Sequence, residues 1–259
     1  MKTKHDWNFA SESTPERGTK IRWIVRTGII LAVINLLAFV AAPLSRLHLN
    51  VPGTIAFQLF TYTVQIGLVL AATGLVLSII TAFMKTGPGW KSCLFLLLLG
   101  LSPIGAVLGY IGPDRYRDLM IHDISTDTSD PPEFVEAVKL RGTGENSTVY
   151  SDRLAARQRA AYPNLGPIVS RLSLDDALTE ATQVVKDLGW EFINVDYDKG
   201  IIEAYASTPV FGLTDDIVIR VRREGSGSRI DVRSSSRYRT GEPGINVERI
   251  RQFASAFRG

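Results

Sequence analysis

Three long apolar stretches open the chain, and shorter periodic segments fill the rest of it. The first stretch runs from Ile24 to Pro43 and is interrupted by Arg26 and Asn35. The second, from Ala56 to Met84, and the third, from Ser92 to Ile111, carry no charge. A helix that crosses a hydrocarbon core of ~30 Å needs about 20 apolar residues, so each stretch predicts a transmembrane span. Lys85-Thr86-Gly87-Pro88-Gly89-Trp90-Lys91 combines turn residues with lysines and a tryptophan suited to the headgroup region. It predicts a helical hairpin of spans two and three. The polar residues 1–20 read as a disordered tail.

Beyond Tyr116 the pattern changes to that of a water-soluble domain. Residues 121–150 look irregular, with Asp130-Pro131-Pro132 and a loop from Gly142 to Ser147. Asp152 to Ala161 predicts a short helix, stopped by Tyr162-Pro163. Ser173 and Asp176 have the spacing of a capping box. Ala177, Leu178, Ala181, Val184, Val185 and Leu188 then recur at helical spacing up to Gly189. Trp190–Tyr197 and Ile201–Ser207 alternate as strands around Asp198-Lys199-Gly200. Asp216–Arg223 and Arg229–Ser236 do so around Gly225-Ser226-Gly227. Asn246 is placed to cap a last helix whose Ile250, Phe253, Ala254 and Phe257 share one face. The expected fold is therefore a membrane-anchored α+β protein: three transmembrane helices, then an antiparallel four-stranded sheet with helices on one face. The expected divisions are a tail (1–20), a membrane domain (21–112) and a soluble domain (113–259).

Charge distribution changes the reading of the basic balance. Of 29 basic and 26 acidic residues, nine and three lie up to Gly112, which leaves 20 and 23 beyond it. The positive excess flanks the spans, so the pI of 9.0 does not point to nucleic acid. Basic residues concentrate in the tail and in the 85–91 turn, whereas the loop after span one holds only Arg46 and His48. The positive-inside rule then puts the tail in the cytoplasm and the C-terminal domain outside it. A rival reading makes the first stretch a cleaved signal peptide ending near Val40–Ala42, but its leader is long and contains acids. The localisation expected is a multi-pass inner membrane protein with a periplasmic domain.

The spans hold Asn35, Gln58 and Gln65 but no acid or lysine, which argues against an ion or proton path. Gly67/Ala71, Gly74/Ser78 and Gly105/Gly109 are small pairs that permit close helix contacts. Ser102-Pro103 predicts a kink. The single cysteine, Cys93, excludes an intrachain disulfide and reads as apolar filler.

Candidate chemistry in the soluble domain is sparse. His122 is its only histidine, and no Gly-x-Ser-x-Gly nucleophile elbow occurs. Asp123, Ser125, Asp127 and Ser129 alternate like calcium ligands, but Thr128 and Phe134 stand where such a loop needs glycine and a bidentate acid. Asn146-Ser147-Thr148 matches a glycosylation sequon without further support. Asp215 and Asp216 are adjacent, yet strand alternation points them to opposite faces. Arginines make the best candidates. Arg220 and Arg222 share one strand face, Arg229, Asp231 and Arg233 share a face of the next, and Arg237 and Arg239 follow. Asp231 is the acid expected among them, with Glu203 or Glu191 as partners from the neighbouring strand. Forked guanidinium donors suit phosphate and carboxylate. The candidate binding residues are thus Arg220, Arg222, Arg229, Arg233 and Asp216, without a catalytic residue, metal or cofactor. Expected partners are membrane lipids and an envelope protein or anionic ligand.

The run Thr208-Pro209-Val210-Phe211-Gly212-Leu213-Thr214-Asp215-Asp216-Ile217-Val218-Ile219-Arg220, then Gly227 to Arg237, Gly244-Ile245-Asn246 and Arg249-Ile250, resembles the domain-of-unknown-function family 1499. Ile121 to Asp127 and Ala161-Tyr162-Pro163 resemble its opening segments. The stretch Tyr238–Pro243 departs from that pattern, with Gly241-Glu242 where Ser-Asp is usual. The resemblance spans about residues 120–257 and implies a bacterial-type envelope domain, often membrane- or lipid-anchored. It implies no reaction and no catalytic residue. The function expected is a binding or interaction module on a membrane anchor, with a carboxylate-based hydrolase as the alternative.

Overall fold

The structure is a computed structural model that describes residues 15–83, 89–112, 121–239 and 241–257. It divides into two compact units: 1–45 with 57–107, and 46–56 with 108–259.

Three helices, α1 (Pro15–Leu49), α2 (Gly53–Phe83) and α3 (Trp90–Ile111), are long and apolar enough to span a membrane. α1 and α3 include their predicted stretches, α2 covers its own up to Phe83, with Met84 outside the described residues, and α1 extends well beyond its stretch. Residues 15–20 lie within α1; residues 1–14, the rest of the expected tail, lie outside the described residues, as does most of the 85–91 turn. Leu, Ile and Val face outward, as at Ile34, Val69 and Leu98. Small residues face inward. A Cβ on Gly67 would lie 2.7 Å from the Gly100 carbonyl oxygen, and one on Gly100 2.6 Å from the Ala71 amide nitrogen. Gly74 abuts Leu97 in the same way, whereas Gly105 and Gly109 face open space. Of the three small pairs, the two on α2 therefore mark helix contacts. Asn35 is buried and donates to the Thr63 carbonyl at 2.9 Å, which satisfies an amide where no water would. Cys93 packs with Val25 and Leu77.

The second unit contains β1 (Asp123–Ser125), α4 (Glu136–Lys139), α5 (Asp152–Ala161), β2 (Ile168–Ser170), α6 (Leu174–Asp187), β3 (Glu191–Asp196), β4 (Ile201–Ser207), β5 (Thr214–Glu224), β6 (Gly227–Ser236) and α7 (Ile245–Ala256). The sheet is antiparallel, in the order β1-β6-β5-β4-β3, and β2 also pairs with β6. Six strands form it rather than the expected four, because β1 and β2 share the outer edge of β6.

Alternation sorts the sheet residues between two different layers. Ile217, Ile219 and Val221 of β5, Ile230 and Val232 of β6, and Ile202 and Ala204 of β4 face α6, α7 and Leu154 of α5 in one apolar core. The opposite face carries Asp216, Val218, Arg220 and Arg222 on β5 and Arg229, Asp231, Arg233 and Ser235 on β6. Val218 packs there with Phe134 and Ala137, so α4 lies on this second face and the helices are not confined to one side. Ser173 Oγ accepts the Asp176 amide at the start of α6, as the capping pattern predicts. The β5–β6 turn closes at Gly225, whose φ is 57°. Gly227 is required for a separate reason, since a Cβ there would collide with the Ser170 carbonyl of β2.

Candidate functional site

The second face of the sheet is built from arginines and carboxylates. Register places Arg220 opposite Asp231, Arg222 opposite Arg229 and Val218 opposite Arg233. The arginines thus share one face of the hairpin, although only Arg222 and Arg229 stand directly opposite each other. Asp231 is joined there not by acids of the neighbouring strand but by Asp127 and Asp130, because the segment 123–150 folds across this face. Asp231 is fully buried and holds Arg222 at 2.7 Å, Arg220 at 3.1 Å and Arg229 at 3.1 Å. Asp127 pairs with Arg229 at 2.8 Å, and Asp130 with Arg222 at 2.9 Å and Arg220 at 3.2 Å. Asp127 also accepts the amides of Ser129 and Asp130, and these bonds and the arginines hold its carboxyl below the usual range despite burial.

Arg233 is buried, 2% exposed, against a fully buried Asp123. Its Nε and one terminal nitrogen grip the two carboxylate oxygens at 2.9 and 2.7 Å. The carbonyls of Pro132 and Thr148 take further N–H groups at 2.9 and 2.6 Å. The guanidinium carbon lies 4.8 Å from the Phe134 ring centre and 5.2 Å from that of Tyr150, within cation–π reach. Burial pushes the Tyr150 phenol well above its ordinary value.

Asp216 faces this layer and is likewise committed. It accepts from Arg141 Nε at 2.8 Å and from Arg237 at 2.6 Å. Asp215 points to the helix side, where Arg249 of α7 pairs with it. Burial raises its carboxyl, opposed by Arg249 and the Ser236 hydroxyl. The two aspartates therefore do not meet. Glu203 does not join the arginines either. Its Oε1 accepts the amides of Val135 and Glu136 at 3.1 and 2.9 Å, and its Oε2 that of Ala137 at 2.7 Å, which anchors the start of α4 to β4.

The other sequence candidates also take structural places. Ser125 and Gln158 of α5 exchange backbone–side-chain bonds at 2.9 and 2.6 Å. Asp123 and Asp127 are spent on arginines, and no group of three His, Cys, Asp or Glu suited to a metal occurs among the described residues. Asn146 donates to the Ser236 carbonyl. Asn246 is not the cap of α7. Gly244, at φ 77°, occupies that position, and the buried Asn246 bonds Ser234, Ser236 and the His122 carbonyl from inside the first turn. The residues that sequence reasoning passed over are Asp123, Asp127, Asp130 and Arg141 as arginine-layer members, together with Arg249. Their visible signal was an acid-rich loop ahead of an arginine-rich hairpin.

His122 gives this layer a pH dependence. Burial lowers its pKa below 6.5; Asp123 opposes this, and Arg141 and Arg233 reinforce it. The folded state thus binds the His122 proton less readily than the unfolded state, so stability falls as pH drops through 6.5 towards the folded value. Asp215 acts with the opposite sign above 3.8, because its folded carboxyl holds a proton to higher pH. The comparison of wild type with His122→Gln isolates the histidine: the wild-type Tm should fall more than the variant's between pH 7.5 and 5.5, measured by thermal unfolding of the full chain in detergent. Equal falls would remove His122 as the cause.

The class defined by these features is a membrane-spanning protein with an α+β domain, whose sheet carries an apolar layer on one face and an arginine–carboxylate layer on the other. A family model described as a protein of unknown function, DUF1499, matches residues 123–257, just over half of the chain, and the chain belongs to that family. A search of curated proteins gives no match.

Proposed function

We propose that this is a cell-envelope protein whose C-terminal domain is a binding or interaction module held at the membrane by three spans. The observation that carries this reading is the commitment of the domain's buried carboxylates. Asp123, Asp215, Asp216 and Asp231 are each paired with guanidinium groups, and Glu203 is tied to backbone amides. Groups so held build a rigid scaffold, because moving a proton or a metal onto them would break a buried pair. Arg222 and Arg229 keep exposed edges, 38% and 27%, and offer partly neutralised forks to an anionic ligand. Basic flanks of the spans favour a cytoplasmic N-terminus and a periplasmic domain. The partners proposed are membrane lipids and an envelope protein or anionic ligand.

The hydrolase alternative would use Asp215 or Asp216; burial raises the carboxyl of Asp215, against the opposing pull of Arg249. Two experiments test the reading. Crosslinking in intact membranes, followed by mass spectrometry, should recover a stable partner. Reconstituted full-length protein should show no turnover of ester or phosphoester substrates that Asp215→Asn or Asp216→Asn abolishes; such turnover would overturn the module reading. C-terminal fusions to alkaline phosphatase should be active, and a fluorescent, phosphatase-negative fusion pattern would reverse the orientation.

A further inference from the structure

We infer that residues 46–56 form a strap on the C-terminal domain, which passes a movement of the adjoining ends of α1 and α2 to the Asp215–Arg249 pair. The inference is separate from the question of what the domain binds, and its test reads no ligand.

The strap comprises the last turn of α1, a bend and the first turn of α2, and it belongs to the same compact unit as residues 108–259. Asn50 makes the bend with a φ of 52°, a left-handed backbone that asparagine tolerates. The Pro52 carbonyl then accepts the Ile55 and Ala56 amides at 3.0 Å each, which closes the first turn of α2. Two close contacts fix this piece to the turn 208–213 that leads into β5. A Cβ on Gly53 would collide with the Phe211 carbonyl oxygen, so only the bare backbone of glycine fits. One on Gly212 would lie 2.9 Å from Arg46 Nε, so the guanidinium rests on the backbone of the same turn.

The turn is tied to itself and can transmit a push. The Thr208 amide donates to the Leu213 carbonyl at 2.8 Å, and Thr208 Oγ1 accepts the Leu213 amide at 2.9 Å. The Thr208 carbonyl accepts the Gly212 amide at 3.0 Å. Phe211 and Leu213 are buried, 4% and 2% exposed, yet lie outside the apolar core that α6, α7 and the sheet enclose. Phe211 is held from two sides. Gly53 abuts its carbonyl, and its amide donates to Glu242 Oε1 at 2.9 Å. Glu242 stands just ahead of α7. Burial is the main cause of the raised Asp215 carboxyl, and the charge of Glu242 adds to it, while Arg249 of α7 pairs with Asp215. An unbroken path of neighbours thus runs from Gly53 through Phe211 and Glu242 to Asp215 and α7. Coupling travels through contiguous packed and hydrogen-bonded groups of this kind.

The test is hydrogen exchange of the full chain in nanodiscs, read at both ends of this path. Gly53→Val sets a side chain against the Phe211 carbonyl, and amides of 208–213 and 241–246 should exchange roughly tenfold faster or more, as overpacking of a close contact requires. Amides of α6 should keep their rates. Glu242→Ala cuts the path from the other side. Coupling is reciprocal, so the Ile55 and Ala56 amides should then exchange faster than in the wild type. If Gly53→Val fails to insert or fold, Glu242→Ala decides alone. Unchanged rates at 208–213 in Gly53→Val, or at Ile55 and Ala56 in Glu242→Ala, would overturn the inference. Acceleration throughout the domain, α6 included, would overturn it as well, since it reports general unfolding rather than a released strap.

Discussion

Asp123→Ala is expected to cost the C-terminal domain about 3–5 kcal/mol, enough to leave much of it unfolded at physiological temperature. The substitution removes both carboxylate contacts of Arg233, which is 2% exposed and cannot turn to water. An uncompensated buried guanidinium is the costly state; the intact pair itself contributes less, because its attraction is offset by desolvation. It follows that Asp123→Ala combined with Arg233→Met should recover much of the loss. The methionine would fill the space between Phe134 and Tyr150 with a flexible apolar chain. Thermal unfolding of the single and double variants, followed with limited proteolysis, measures the difference. A single variant as stable as the wild type would show that the pair is not a structural pin.

Glu203→Ala is expected to be the next most damaging change, at about 2–4 kcal/mol. Three amides, from Val135, Glu136 and Ala137, lose one charged acceptor. A hydrogen bond to a charged group contributes roughly 1.5–3 kcal/mol. The full sum is not expected, since Val135 is 56% exposed and its amide can reach water. Glu203→Gln should fall between the two, because it keeps the shape but exchanges one acceptor for a donor. Loss should be local at first: amide exchange in 134–141 should accelerate before that of α6. Uniform acceleration throughout the domain would contradict a local anchor.

These two residues also show what the chain discloses on inspection and what it withholds. Local patterns were readable. The Ser173 cap, the periodicity of α6 and the alternation of β5 and β6 each depend on neighbours within a few residues, and the structure places them where the patterns do. The arginines fall on one face of the hairpin for the same reason. Their neutralisation was not readable, because Asp123 and Arg233 are 110 residues apart and nothing in either segment names the other. β1 and β2, at three residues each, are too short to show alternation, and α4, at four, too short to show a helical period. Asn246 misled because an asparagine ahead of an apolar helix has the chemistry of a cap. Gly244 took the position through its left-handed backbone, which released the amide to bridge β6.

The position of β6 has a consequence for how the protein comes to be made. β6 pairs on one side with β5 and on the other with β1 and β2, which come from the start of the domain. Residues 121–170 are translated long before the strand that receives them. They have little to pair with until the β5–β6 hairpin leaves the ribosome, and closing so long a loop is slow. The spans emerge first and the domain completes itself last, so a chain truncated before Gly227 would be inserted in the membrane yet leave an acid-rich, unpaired segment exposed to proteases. Until β6 has been made, β1 and β2 have no strand to pair with, and the sheet cannot close on that side.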